Sequence, residues 1–250
     1  MEALTIEDVF HQVPYLVRFE WGAEGVSRLA PLSRVVVIID VLSFTTSVEV
    51  AVSREATVFP YRYKDDSAIK FAESVGAILA GKRGQTPSLS PESLLALPPQ
   101  ARIVLPSQNG SVCTVAAQES NVITIAGCLR NAAAVADFIN LHYPSEAVSV
   151  IACGEQWGNG SLRPAIEDLI AAGAIISRLN QSERSPEASI AMSAFKHAEH
   201  DIQNMMHECS SGRELAAKGF EQDVVIASEL NVSDVVPVIH NGAYKRGGNE

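Results

Sequence analysis

The chain has 250 residues, 47% of them hydrophobic, enough to bury a large core as one α/β domain or two smaller ones. Its formal net charge of −10 disfavours binding to a nucleic-acid phosphate backbone. The scattered Cys113, Cys128, Cys153 and Cys209 form no CxxC pair, which suits reduced thiols in a cytoplasmic protein.

The opening residues carry Glu2, Glu7 and Asp8 and lack a basic stretch followed by an apolar run, so neither a signal peptide nor a membrane span is expected. Val17, Phe19 and Trp21 alternate with Leu16, Arg18 and Glu20, which predicts a strand with one half-wet face near a sheet edge. Residues 35 to 39, Val-Val-Val-Ile-Ile, are β-branched without polar alternation and predict a strand covered on both faces. Asp40 ends that strand, and Ser43, Thr45 and Thr46 suit a tight turn into a helix running to Arg54.

Further strands are expected over Ala56–Phe59, ended by Pro60, and over Ala77–Ala80, Arg102–Leu105, Val122–Ile125 and Val148–Cys153. Helices are expected from about Asp65 to Ser74, from Pro91, over Val112–Gln118 and Asn131–His142, and from Pro164 to Leu179. Gly154 to Arg163, with Gly158 and Gly160, predicts a flexible loop. The polar stretch Ser182 to Pro186 is the best candidate linker. It would divide a main α/β region, 1–181, from a C-terminal helical and strand region, 182–250, packed on it. A long helix over Pro186–Cys209, a shorter one over Gly212–Lys218 and apolar runs at Val224–Ala227 and Val235–Ile239 follow. The tail from Lys245 to Glu250 is expected to be disordered. This alternation predicts a parallel or mixed β-sheet flanked by helices.

Chemistry collects where strands end. Asp40, Lys82 and Arg83, Asn109-Gly110-Ser111, and Glu155 each follow an apolar strand, and the carboxyl edge of an α/β sheet is where ligands bind. Helix N-termini, turn amides and two cations can hold a phosphate dianion. The carboxylates nearby would repel it unless a hard cation stands between, and Mg²⁺ takes oxygen ligands and bridges to phosphate. Asp40, Glu155, Glu167 and Asp168 are therefore the candidate ligands. Asp40, Glu155 and Glu167 are the candidate catalytic groups. Thr45, Thr46, Lys82, Arg83, Asn109, Gly110 and Ser111 are the candidate phosphate binders. His197, His200, Asn204 and His207 share a helix face opposite an apolar one, the pattern of a solvated surface. Cysteine-phosphatase, aspartyl-phosphatase and nucleotide-binding loops are absent.

Asp40-Val41-Leu42 with Thr45-Thr46, then Gly81-Lys82-Arg83-Gly84, Asn109-Gly110-Ser111 and Glu167-Asp168-Leu169-Ile170-Ala171-Ala172-Gly173-Ala174, resemble the 2-phosphosulfolactate phosphatase family in order and spacing. Phe19-Glu20-Trp21-Gly22 and Asp234-Val235-Val236-Pro237 are similar too. The resemblance implies a family-specific α/β fold. It also implies a Mg²⁺-dependent cytoplasmic phosphatase that takes a small phosphorylated acid to the hydroxy acid and phosphate, a step towards coenzyme M. Assembly into homo-oligomers is compatible with it. Ser43 stands where the family usually has Arg, and Lys82 where it has Glu. A less acidic or differently shaped phosphoester is therefore expected, with Ser43 as the specificity position. A non-catalytic small-anion-binding protein of the same fold is the competing reading.

Overall fold

The computed structural model describes residues 5–248. Five β-branched residues form β2, Val35–Ile39, which pairs in parallel with β6, Ile123–Gly127, on one side and with β7, Val148–Ala152, on the other. Val35, Val37 and Ile39 face one core cluster, and Val36 and Ile38 face another. Both pleat faces are thus dry, which is why this strand tolerates no polar alternation.

Around it lies a nine-stranded mixed sheet. The strands are β1 (Val17–Trp21), β2, β3 (Thr57–Tyr61), β4 (Ile78–Leu79), β5 (Arg102–Pro106), β6, β7, β10 (Pro237–His240) and β11 (Ala243–Arg246). Their spatial order is β1-β7-β2-β6-β10-β11-β3-β5-β4. β1 sits at the edge, as expected, with Arg18 buried. The antiparallel hairpin β10–β11 joins two parallel half-sheets. Twist accumulates at about 20–25° per strand, so the five steps from β2 to β5 amount to about 100–125°. The turns after β2 and β5 meet, Gly110 N of the second bonding Asp40 Oδ2 of the first.

Helices cover both faces. α2 (Gly22–Leu29) and α6 (Gly110–Gln118) pack on one side of the first half-sheet, and α7 (Ala132–His142), α8 (Ile166–Ile176) and α9 (Pro186–Ala198) on the other. α3 (Phe44–Ser53) and α5 (Pro91–Leu94) cover the second core with the hairpin. α4 is Ser67–Ser74.

Several expectations need correction. Pro60 lies inside β3: Tyr61 accepts from Ser107 on the β5 side, so its neighbour Pro60 faces the other side, where β11 pairs only at Val58. The missing N–H therefore costs no ladder bond. Gly154–Arg163 is a small hairpin, β8 (Glu155–Gln156) with β9 (Leu162–Arg163), because Trp157 and Ser161 close the turn by a main-chain bond. The long helix divides into α9 and α10 (Ile202–Glu208), since the chain turns at Glu199–Asp201 to bury both Ala198 and Ile202. α11 spans Ser210–Ala217, and Val224–Ala227 belongs to α12, Glu221–Ala227. Lys245 and Arg246 are part of β11, paired with Val238 and Pro237. The rest of that tail, from residue 249, lies outside the described residues, as do residues 1–4. Ser182–Pro186 lies against β1: Glu183 accepts from Leu16 and Val17, and Ser185 donates to Val17.

Helices α8 and α9 touch backbone to backbone at Gly173, where an added Cβ would stand 2.0 Å from the Ala191 carbonyl oxygen. Neither helix can yield without lifting from the core. Gly173→Ala should therefore destabilise the protein by about 1–3 kcal/mol in denaturant titration, although alanine is the better helix former.

Candidate active site

The turn after β2 is built from its own hydroxyls. Thr45 donates through N and Oγ1 to the Asp40 carbonyl, both at 2.8 Å, and its Oγ1 accepts from the Asp40 amide at 3.0 Å. Thr46 Oγ1 donates to the Val41 carbonyl at 2.8 Å. These two threonines therefore shape the turn that presents Asp40. Ser111 Oγ likewise donates to the Leu105 carbonyl.

Asp40 is buried between two helix N-termini. Its Oδ1 accepts from Phe44 N, the first residue of α3, at 3.1 Å, and its Oδ2 from Gly110 N, the first residue of α6, at 2.8 Å. Ser107 Oγ stands 3.5 Å from the same Oδ2. Position 110 must be glycine: a Cβ there would fall 2.7 Å from Asp40 Oδ2 and closer still to the Phe44 ring. Asp168, from the first turn of α8, repeats the device. Its Oδ1 accepts from Val41 N at 2.8 Å and its Oδ2 from Gly154 N at 2.9 Å. The two aspartates thus tie together the ends of β2, β5 and β7.

Glu155, on β8, accepts from Asn109 Nδ2 at 2.9 Å. Glu167 is 2% exposed and faces the Cys209 thiol, whose pKa is pushed up to about 12 by burial and then by the Glu167 charge. The four candidate carboxylates therefore share one region, and their charges reinforce one another. Burial raises the pKa of Asp40, against its two backbone donors, and Glu167 raises it further. Burial, Asp40 and Glu167 raise that of Asp168 well above the ordinary value. Glu155 is pushed up to about 7, first by burial and next by Asp40. Opposing this, Arg83 lowers the pKa of Asp40, and Arg163, paired across the hairpin, lowers that of Glu155.

Arg83 and Lys82 part company. Arg83 bonds through Nη1 to the buried Asp223 of α12 and through Nη2 to Ser43 Oγ at 2.9 Å, with its guanidinium 5.5 Å from the Phe220 ring centroid. Asp223 is held in turn by Ser90 Oγ at 2.5 Å and Glu92 N at 3.2 Å. A guanidinium therefore does occupy the place beside Ser43, delivered from another strand end. Lys82 is exposed, with its amide on Gln85 Oε1 at 2.8 Å. The sequence reading missed Ser107, Arg163 and Asp223. Ser107 sits in a loop and Arg163 in the two-residue strand β9, neither within a motif, and Asp223 reaches the site from a helix 140 residues away from Arg83. His197, His200 and Asn204 are exposed and His207 is half-buried, but they share no helix face: His197 is on α9, Asn204 and His207 are on α10, and His200 is in the turn between.

The donor set suits a hard cation. Among the described residues no group of three His, Cys, Asp or Glu side chains is placed to surround an ion. Mg²⁺, however, is commonly held by one or two carboxylates plus waters and phosphate. Each carboxylate oxygen carries two lone pairs, so the backbone bonds leave acceptor capacity on Asp40 and Asp168.

A raised carboxyl pKa has a definite linkage sign. The folded protein holds the Glu155 proton more tightly than the unfolded chain, so the stabilisation is fully present below pH 4.5 and lost as pH rises to about 7. In chelator-treated protein, wild type and Glu155→Gln should therefore have matching Tm values in acid. By neutral pH the variant should be the more stable, and thermal scans across this window check the divergence.

The model of the 2-phosphosulpholactate phosphatase family matches residues 24–242. A probable 2-phosphosulfolactate phosphatase of Thermotoga maritima is 27% identical over 231 residues, 86% of this chain and 95% of that protein. Another, of Carboxydothermus hydrogenoformans, is 28% identical over 215 residues, 83% and 87% respectively. As the family match runs from ahead of β2 to beyond β10 and takes in all four site carboxylates, this chain belongs to the 2-phosphosulpholactate phosphatase family.

Proposed function

We propose that the chain is a phosphomonoesterase that hydrolyses a phosphorylated hydroxy acid with the help of Mg²⁺. The observation that carries this reading is the accumulation of four carboxylates at the meeting strand ends, with Arg83 and Arg163 beside them. Such partly compensated buried charge is costly in a protein alone and would be relieved if a cation and a phosphate arrived together. Asp40 and one of Glu167 and Asp168, with waters, would hold Mg²⁺, which would screen the phosphate from the carboxylates and polarise its ester bond.

The protein's own groups supply the rest. Arg83 is fixed by Asp223, Ser43 and the Phe220 ring, close enough for its charge to act on Asp40, and can neutralise charge growing on the phosphoryl oxygens. Glu155, a carboxylate whose pKa burial raises first and Asp40 next, is the group that would take a proton from the attacking water. Asn109 Nδ2 fixes the carboxylate that does so. The α3 and α6 N-termini, already facing Asp40, favour negative charge at this point. Asp40, fixed by two amides, acts in this reading as ligand and anchor, with water as nucleophile.

Phosphate release from p-nitrophenyl phosphate and a panel of phosphorylated hydroxy acids, with and without Mg²⁺, tests the reading. No Mg²⁺-stimulated release from any of them would sink it. Asp40→Asn should lower turnover by several powers of ten, because a charged oxygen donor becomes a neutral amide of the same shape. Arg83→Ala removes a charge-assisted contact of about 1.5–3 kcal/mol and should weaken inhibition by inorganic phosphate about 10–150-fold. Unchanged inhibition would place Arg83 outside the phosphate site. Mg²⁺ should also raise Tm more at neutral pH than in mild acid, since it competes with protons for the same oxygens.

A further inference from the structure

A cavity of about 530 Å³ opens at the carboxyl ends of β3, β5 and β4, within the range of about 300–1,000 Å³ typical of ligand pockets. Its apolar surface comes from Ile69, Leu79, Leu89 and Pro106. Arg83 forms one side of it and carries the wall to Ser43 and Asp40. Pro106 forms another, next to Ser107 and the Gly110 amide that holds Asp40. The cavity and the carboxylate site therefore adjoin at Arg83, with Pro106 one residue before Ser107.

Its charges cancel. Lys64 and Lys82 on the rim are matched by Asp65 and Asp66, and Arg83 is bonded to Asp223. No surplus positive charge awaits a sulfonate or a second carboxylate. Ile69 is instead 49% exposed, an apolar side chain of α4 open to water beside a polar site. The wall is also pre-formed: Gly81 N bonds the Pro87 carbonyl at 2.9 Å, and Gly81 bridges Ser88.

We infer that this cavity receives the organic group of the phosphoester and selects an aliphatic body longer than three carbons. The inference rests on the phosphomonoesterase reading for the position of the phosphate at Asp40 and Arg83. It places specificity on the β3–β5–β4 edge, where Ile69 and Leu89 remove methylene groups from water.

The test uses straight-chain alkylphosphonates from ethyl to octyl, which keep a phosphate-like head and cannot be hydrolysed, with calorimetric binding to the full-length protein in Mg²⁺. Burying a methylene is worth a factor of about four in affinity, so Kd should tighten by about that factor per carbon until the cavity is full. Ile69→Ser, at a half-exposed helix position, should cost the octyl compound about tenfold and leave the ethyl compound unchanged. A flat series, or the same gain per carbon in Ile69→Ser, overturns the inference. Parallel assays of phosphate release separate the two ideas. Hydrolysis with no chain-length dependence in binding leaves the phosphatase reading standing and removes the cavity from it. Length-dependent binding with no hydrolysis of any ester removes the reading and keeps the cavity.

Discussion

The structure depends on one carboxylate shared by two helices. Asp40 accepts an amide from the first turn of α3 and another from the first turn of α6, and these helices follow strands in different half-sheets. Orphan N–H groups at helix starts must find an acceptor, and a buried carboxylate must find donors. Each requirement here answers the other. Asp168 does the same for the turns after β2 and β7, so two side chains pin three strand ends into one rim.

That solution leaves electrostatic tension. Backbone amides relieve Asp40 and Asp168 in part, yet burial and mutual repulsion still push their pKa values up. A protein has two ways to ease such a cluster, protons or cations, and near neutral pH the cation is the more available. The same tension places Glu155 near 7, where a carboxylate becomes useful as a base. In the proposed reading, the structural links made by Asp40 and Asp168 and the chemistry draw on one cluster.

The second half-sheet contributes differently. Arg83 comes from the loop after β4, at the far edge, and is fixed by Asp223 from the C-terminal helices. The segment 182–250 is therefore part of the site as well as of the scaffold. Its hairpin β10–β11 also fills the seam between the half-sheets, with the buried Tyr244 hydroxyl hydrogen-bonded to Thr114 of α6 at 2.8 Å.

Local patterning by itself determined most strands and helices: the β-branched run of β2 and the Ser90-Pro91 start of α5 are readable because each depends on neighbours in the chain, whereas the alternation expected of β1 gave way to a buried Arg18. It also marked Asp40, Glu155, Glu167 and Asp168, since each sits just beyond a strand or early in a helix. The break between α9 and α10 was not readable, because no Gly or Pro marks it and only the core decides where the chain must turn. Pro60 inside β3 depended on which flank β11 would leave open. The order of strands, the reversal between half-sheets, the pairing of Arg83 with Asp223 and the commitment of both threonine hydroxyls to the Asp40 turn were all decided by tertiary structure. These are relations between residues far apart in the chain or competing for one partner. A linear pattern carries residue types and spacing, whereas which groups are left free to bind depends on which donors and acceptors have already been satisfied.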